Sequence, residues 1–284
     1  VLKVRVGCEF AFTSAVPTPL VAMVRPKVES GRAVDGEKWH MSPSADARDG
    51  RDSQGNAIRR LLLPPGDATL RYEAIVTDPG RLDDADPGAP LIGPDRVPDD
   101  ALIYLLPSRF CPSDVLANDA WALFGGVAPG WGLVQAICDW VHDNVVFAYG
   151  ASHALTTALE TFNQRTGVCR DFTQLAITFC RAMNVPARYV FGYLPDIEVP
   201  PPTSPMDFCA WMEVFLGDRW WTFDPRNNRR RIGHIVIGRG RDAADVPMIM
   251  TFGMVTLQNM TVWADELSNE ARTSAILDPA NDHV

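Results

Sequence analysis

The chain has 284 residues and a mass of 31.3 kDa, enough for a sizeable core and for one or two domains. Hydrophobic residues make up 46% and mean hydropathy is -0.05, the profile of an ordinary soluble globular protein. A formal charge of -9 argues against a phosphate-backbone partner, and no apolar run approaches the roughly 20 residues of a membrane helix. Neither nucleic acid nor membrane is therefore expected as a partner.

Val1 to Val6 alternates like a strand rather than having the shape of a signal peptide. Leu2 to Phe12, more loosely Leu20 to Val28, and Leu70 to Thr77 show polar–apolar alternation. Turn signals at Asp49-Gly50, Gly55-Asn56 and Pro64-Pro65-Gly66 separate these runs. Residues 1–100 thus read as a β-rich, sandwich-like domain. Its last part, Asp78 to Asp100, carries five prolines and seven aspartates, which predicts an exposed, irregular linker with solvated carboxylates.

Residues 101–284 read as a second, core domain. Pro112-Ser113-Asp114 can cap a helical turn, and Trp131 to Phe147 has apolar residues at helical spacing. Val168 to Met183 carries the stripe Val168, Phe172, Leu175, Ala176, Phe179 and Met183, with Pro186 as a stop. Strands are predicted at Ala187 to Tyr193, Cys209 to Leu216 and Arg219 to Asp224, and the polar tail after Asp265 is expected to fray. The fold class is α+β.

The six cysteines, at 8, 111, 138, 169, 180 and 209, show neither a CxxC pair nor a disulfide-scaffold spacing. They read as reduced thiols in a cytoplasmic protein. Cys8, Cys111, Cys138 and Cys180 fit small buried hydrophobes. Cys169 is different. It falls in the first turn of the Val168 helix, where free backbone N–H groups and the helix dipole favour the reactive thiolate.

Gly217-Asp218 suits a two-residue hairpin turn, which places Trp211 opposite Asp224 and Cys209 opposite Arg226. Cys209 and Asp224 are then diagonal neighbours on one face, roughly 7 Å apart at their Cα atoms. An aspartate there could orient a histidine ring at 209, but a cysteine is too short for the same bond unless the site tightens or a water bridges it.

The segments Gly167-Val-Cys169-Arg-Asp171-Phe, Arg181 to Tyr189 with Gly192-Tyr-Leu-Pro-Asp196, Asp207-Phe-Cys209-Ala-Trp211 and Phe223-Asp224-Pro-Arg-Asn-Asn228 together resemble the bacterial transglutaminase-like superfamily, in its "cysteine protease" group. The resemblance covers Leu102 to Trp263 and implies a transglutaminase/papain-like core, with a Cys-bearing helix packed on an antiparallel sheet. It further implies Cys169 as nucleophile and Asp224 as orienting carboxylate. The family's histidine falls on Cys209, and a further family histidine falls on Asn227. His142 reads as a satisfied helix residue, while His153 and His234 can approach the site only through tertiary folding. Trp211, Arg239 and Arg241 are candidates for substrate binding, although Arg239 and Arg241 also fit a solvated charged turn.

The expected activity is that of a cysteine amidase, peptidase or acyltransferase with a Cys169, Cys209, Asp224 site, acting on a small-molecule or peptide amide or thioester through an acyl-enzyme, without a cofactor. Three alternatives stand beside it: a two-thiol isomerase or racemase, a metal site built from the same three residues, and a binding protein that has lost catalysis.

Overall fold

The structure is a computed structural model and describes residues 1–29, 31–200 and 204–267. The predicted fraying tail lies mostly outside the described residues. The first six strands are β1 (Leu2–Ser14), β2 (Thr18–Ala22), β3 (Ala33–Ser42), β4 (Ala47–Arg51), β5 (Ala57–Leu63) and β6 (Gly66–Asp78). Helices α1 (Asp99–Leu102), α2 (Ala117–Phe124), α3 (Trp131–Asn144) and α4 (Ala158–Gln164) follow, with the short strand β7 (Val146–Phe147) between the last two. Next come β8 (Thr166–Gly167), α5 (Cys169–Ala182), β9 (Ala187–Tyr193), β10 (Cys209–Leu216), β11 (Arg219–Phe223), β12 (Ile235–Gly240), β13 (Ile249–Thr251) and β14 (Val255–Glu266).

The strands form two four-stranded sheets, β14-β1-β6-β3 and β13-β2-β5-β4, whose inward residues, among them Phe10, Leu20, Leu63 and Leu70, belong to one apolar core. Every named pairing in them is antiparallel. The division expected at residue 100 does not separate the sheets. Strands β13 and β14, from the far end of the chain, pair with β2 and β1. The run Leu20 to Val28 also departs from expectation, because β2 ends at Ala22. Beyond it the Met23 and Lys27 N–H groups donate to the Met248 and Val236 carbonyls, so the extended chain leaves its ladder. Strands β3 and β4 were hidden in the sequence because both are largely exposed and carry little apolar alternation.

A third four-stranded sheet, β11-β10-β9-β12, is the floor of the site. Every residue of β10 is buried, as expected for its run Cys-Ala-Trp-Met-Glu-Val-Phe-Leu between two neighbours. Helix α5 packs against β9 and β10 on one side and against α2, α3 and α4 elsewhere. Residues Asp171 to Arg181 are consequently buried around the whole helix, not along one stripe. Its internal hydroxyls are satisfied locally: Thr173 Oγ1 donates to the Cys169 carbonyl at 2.8 Å, and Thr178 Oγ1 to the Gln174 carbonyl at 2.7 Å.

Helix α3 ends three residues earlier than its apolar spacing suggested. Val145 turns extended, and Val146–Phe147 pair in parallel with Thr166–Gly167 just ahead of Cys169. The proline-rich stretch is irregular as predicted, but it is pinned rather than merely solvated. Leu82 bridges Ile232, the Asp83 carboxylate accepts the Arg231 N–H at 3.0 Å, and the Pro90 carbonyl accepts from Gly217 at 2.9 Å.

Candidate active site

Gly167, Cys169 and Asp171 form one local device. The Asp171 carboxylate folds back to accept the Val168 N–H at 2.8 Å, satisfying a donor at the mouth of α5. A Cβ at position 167 would lie 2.6 Å from the Asp171 Cβ, so only glycine permits this close approach. Arg170 turns away from the thiol to donate to Asp171 at 3.0 Å and to the His153 carbonyl at 2.7 Å. Cys169, the first residue of the helix, is left partly exposed.

The hairpin register is the one expected: Met212 pairs with Phe223 and Leu216 with Arg219, across a turn with Gly217 at φ 65°. Cys209 opens β10 opposite Gly192 on β9, and its side chain packs against Cys169. The Cys209 hydrogen bond is the largest influence on Cys169 and lowers its pKa. Burial opposes this, while the Ala210 N–H and the Arg226 charge reinforce it. Cys209 moves well upward for the complementary reasons: its interaction with Cys169, its burial, and the repulsion of a second negative charge beside that sulfur. The two sulfurs, shifted in opposite directions, thus share a wall of the site. Proton exchange across a carbon centre, as in a two-thiol racemase, needs them on opposite faces.

Asp224 sits just past β11 and is buried, but its oxygens are occupied. Oδ1 accepts the Arg226 and Asn227 N–H groups at 3.1 and 3.0 Å, and Oδ2 accepts Asn227 Nδ2 at 2.6 Å. Among the described residues Asp224 makes no hydrogen bond to Cys209, in keeping with the short reach of a thiol. Its nearest ring is instead His234, with Nε2 at 3.5 Å, while His234 Nδ1 lies 2.8 Å from Asp83. Burial alone would suppress the charge on His234, yet the two carboxylates outweigh it and push the imidazole up to about 9. Asp224 is held below its usual range: burial opposes its charge, but His234 and Asn227 prevail. Asp83 was not legible as a partner in the sequence, since it lies among seven aspartates without ligand spacing.

The residues expected to bind substrate have other partners. Trp211 is fully buried and packs on His234 with ring centroids 4.5 Å apart. Gly192 makes room for it, because a Cβ there would lie 2.5 Å from the Trp211 ring and 2.2 Å from the Ile235 carbonyl oxygen. Arg239 ion-pairs with Glu213 and Glu29, both at 2.7 Å, and Arg241 with Asp245 at 2.9 Å. Burial raises the Glu213 pKa, but Arg239 and Arg188 overcome this and hold it down to about 2. Neither Arg239 nor Arg241 lines the thiol cleft.

That cleft, about 200 Å³, exposes Cys169 and Cys209 between apolar walls that include Phe147, Leu194 and Met206. Its charged lining comes from Asp196, Asp207, Arg226, Arg229 and Arg231. All six cysteines are free thiols. Burial pushes Cys8, Cys111 and Cys180 up to about 12, consistent with inert packing roles. Among the described residues, no group of three or more His, Cys, Asp or Glu side chains is arranged to hold a metal ion, so Cys169, Cys209 and Asp224 do not form such a set. No described helix is long and apolar enough to cross a membrane.

Residues 124–225 match the core of the transglutaminase-like superfamily. A crystal structure of a candidate cysteine protease from Cytophaga hutchinsonii is 28% identical, with a TM-score of 0.81 over 94% of this chain and 91% of that one. The uncharacterized protein ML0607 of Mycobacterium leprae is 34% identical over 116 residues, 40% of this chain and 41% of its own length. The uncharacterized protein Rv2569c of Mycobacterium tuberculosis is 35% identical over 119 residues, 38% of this chain and 37% of its own length. The match therefore spans about two fifths of these curated relatives. The mixed fold, with its buried Cys-bearing helix on an antiparallel sheet, supports the cysteine hydrolase or acyltransferase class. Residues 124–225 thus match the transglutaminase-like superfamily model, and the chain shares the fold of the Cytophaga hutchinsonii protein over most of its length.

Proposed function

We propose that the protein is a cysteine-dependent amidase or acyltransferase in which a Cys169–Cys209 pair handles the nucleophile and the proton. The observation that carries this reading is the polarised thiol pair at the mouth of α5: Cys169 is shifted towards thiolate by its neighbour, and Cys209 is kept protonated. The Cys169 sulfur attacks the acyl carbon, the C–N or C–S bond of the substrate breaks, and the Cys209 proton goes to the leaving group. Free N–H groups of the first α5 turn face the developing oxyanion. A water or amine then attacks the thioester and returns its proton to Cys209, and Cys169 leaves as thiolate.

The coupling between the sulfurs supports this order of events. Two of the causes that hold Cys209 protonated are its hydrogen bond to the Cys169 thiolate and that thiolate's charge. Both disappear when Cys169 becomes a neutral thioester. Cys209 therefore turns into a stronger acid as the leaving group needs its proton. A buried imidazole at that position would be the usual device; the pair achieves the same timing through mutual repulsion.

The test uses p-nitrophenyl acetate as a probe. A burst of nitrophenolate stoichiometric with protein is expected, together with an acetylated peptide containing Cys169, and Cys169→Ala should lose both. A burst that persists in Cys169→Ala would sink the reading.

A further inference from the structure

In a chain of net charge -9, the thiol cleft gathers three arginines, Arg226, Arg229 and Arg231, against two carboxylates. Arg231 is engaged: Nη2 donates to the Pro195 carbonyl at 3.0 Å and lies 3.6 Å from Asp196. Asp207, the other carboxylate, uses Oδ1 to accept the Phe208 N–H at 2.7 Å and pairs with no arginine of the cleft. Among the described residues, the guanidinium groups of Arg226 and Arg229 have neither an ion pair nor a hydrogen bond. Arg226 is nonetheless held in place. Its N–H donates to Asp224, its carbonyl accepts from His142 Nδ1 at 2.8 Å, and its guanidinium lies 4.2 Å over the Phe147 ring, on the cleft wall. Its charge reaches both sulfurs.

A guanidinium fixed by backbone bonds and a ring, without an acceptor, is a fork awaiting a planar anion. We infer that Arg226 and Arg229 form a subsite for a carboxylate on the acyl donor, placed to hold that group while Cys169 reaches its carbonyl. The subsite rests on the Cys169 reading above. It takes over the role that the sequence had assigned to Arg239 and Arg241, whose guanidinium groups are already neutralised.

Paired thiol reagents test it without knowledge of the natural substrate. Iodoacetate carries a carboxylate and iodoacetamide does not, and both alkylate Cys169, followed by peptide mass mapping. In the wild type, alkylation by iodoacetate should saturate, and its rate relative to iodoacetamide should exceed that of free cysteine. The ratio should fall about tenfold in Arg226→Ala and further in Arg226→Ala/Arg229→Ala, the size expected for losing a charge-assisted hydrogen bond. Because each ratio is taken within one variant, any change in the Cys169 pKa cancels. Protection by N-acetylglycine would mark a peptide's terminal carboxylate as the ligand, and protection by glutaric acid monoamide a side-chain carboxylate. A wild-type ratio equal to that of free cysteine, or a ratio unmoved in the double variant, overturns the subsite while leaving the nucleophile intact. Cys169 inert to both reagents would instead remove the nucleophile, and the subsite with it.

Discussion

Replacing His234 by glutamine tests how the acidic stretch is tied to the core. In the fold this imidazole lies between Asp83 and Asp224 and is pushed up to about 9, against about 6.5 in the unfolded chain. Below pH 6.5 both states carry the proton, so the full contribution is present. Between 6.5 and 9 the unfolded chain gives it up while the fold keeps it, and stability declines; above 9 the contribution is gone. The interval of 2.5 pH units corresponds to about 3 kcal/mol. At pH 7, His234→Gln should cost about 3–5 kcal/mol, because the buried Asp224 and the part-buried Asp83 then face one another without a cation. Urea denaturation followed by tryptophan fluorescence between pH 6 and 10 measures both effects, and Trp211, packed on His234, reports the site. Buried thiols also lose stability at alkaline pH, so the difference between wild type and variant is the informative curve. A difference that stays flat from pH 6.5 to 9.5, or a cost below about 1 kcal/mol at pH 7, would refute the ion-pair account.

Cys209→Ala removes the hydrogen bond that most lowers the Cys169 pKa, so iodoacetamide alkylation of Cys169 at pH 6 should slow, with its pH midpoint moving upward. Cys209→Ser keeps a donor but supplies a far weaker acid; alkylation should stay nearer wild type while turnover of an anilide falls by about 10² or more. Equal loss of both readouts in Cys209→Ser would count against a proton-transfer role. Asp207 raises the Cys169 pKa by its charge, so Asp207→Asn should shift the alkylation midpoint downward and speed modification near pH 6. An unchanged midpoint would place that carboxylate out of electrostatic reach of the sulfur.

Much of this site is local in sequence and was therefore legible there. A glycine, a cysteine and an aspartate within five residues specify the mouth of α5, because the Asp171 carboxylate caps the turn only when residue 167 has no side chain. The hairpin register followed from a two-residue turn and the period of the strands; Cys209 opens β10 as read, whereas Asp224 falls just past the end of β11. Trp211, Arg239 and Arg241 were read as substrate-binding candidates, and in the fold each has another partner. Alternation shows which residues share a face, but not which of them a neighbouring element covers. Glu29, Glu213 and Asp245, distant in sequence or hidden among other acids, neutralise the two arginines, and His234 covers the indole.

The same non-local contacts decide what the missing imidazole means. His234 does reach Asp224 by tertiary folding, so the fold holds a ring beside that carboxylate after all. That ring, however, is also bonded to Asp83, and two carboxylates keep it protonated through neutral pH. An imidazolium with a pKa of about 9 does not accept a proton from a thiol whose own pKa has been lowered. His234 therefore acts as a structural cation that anchors the acidic stretch and holds Asp224 ionised. In the proposed mechanism, proton exchange with substrate is therefore assigned to Cys209, which lines the same cleft as Cys169.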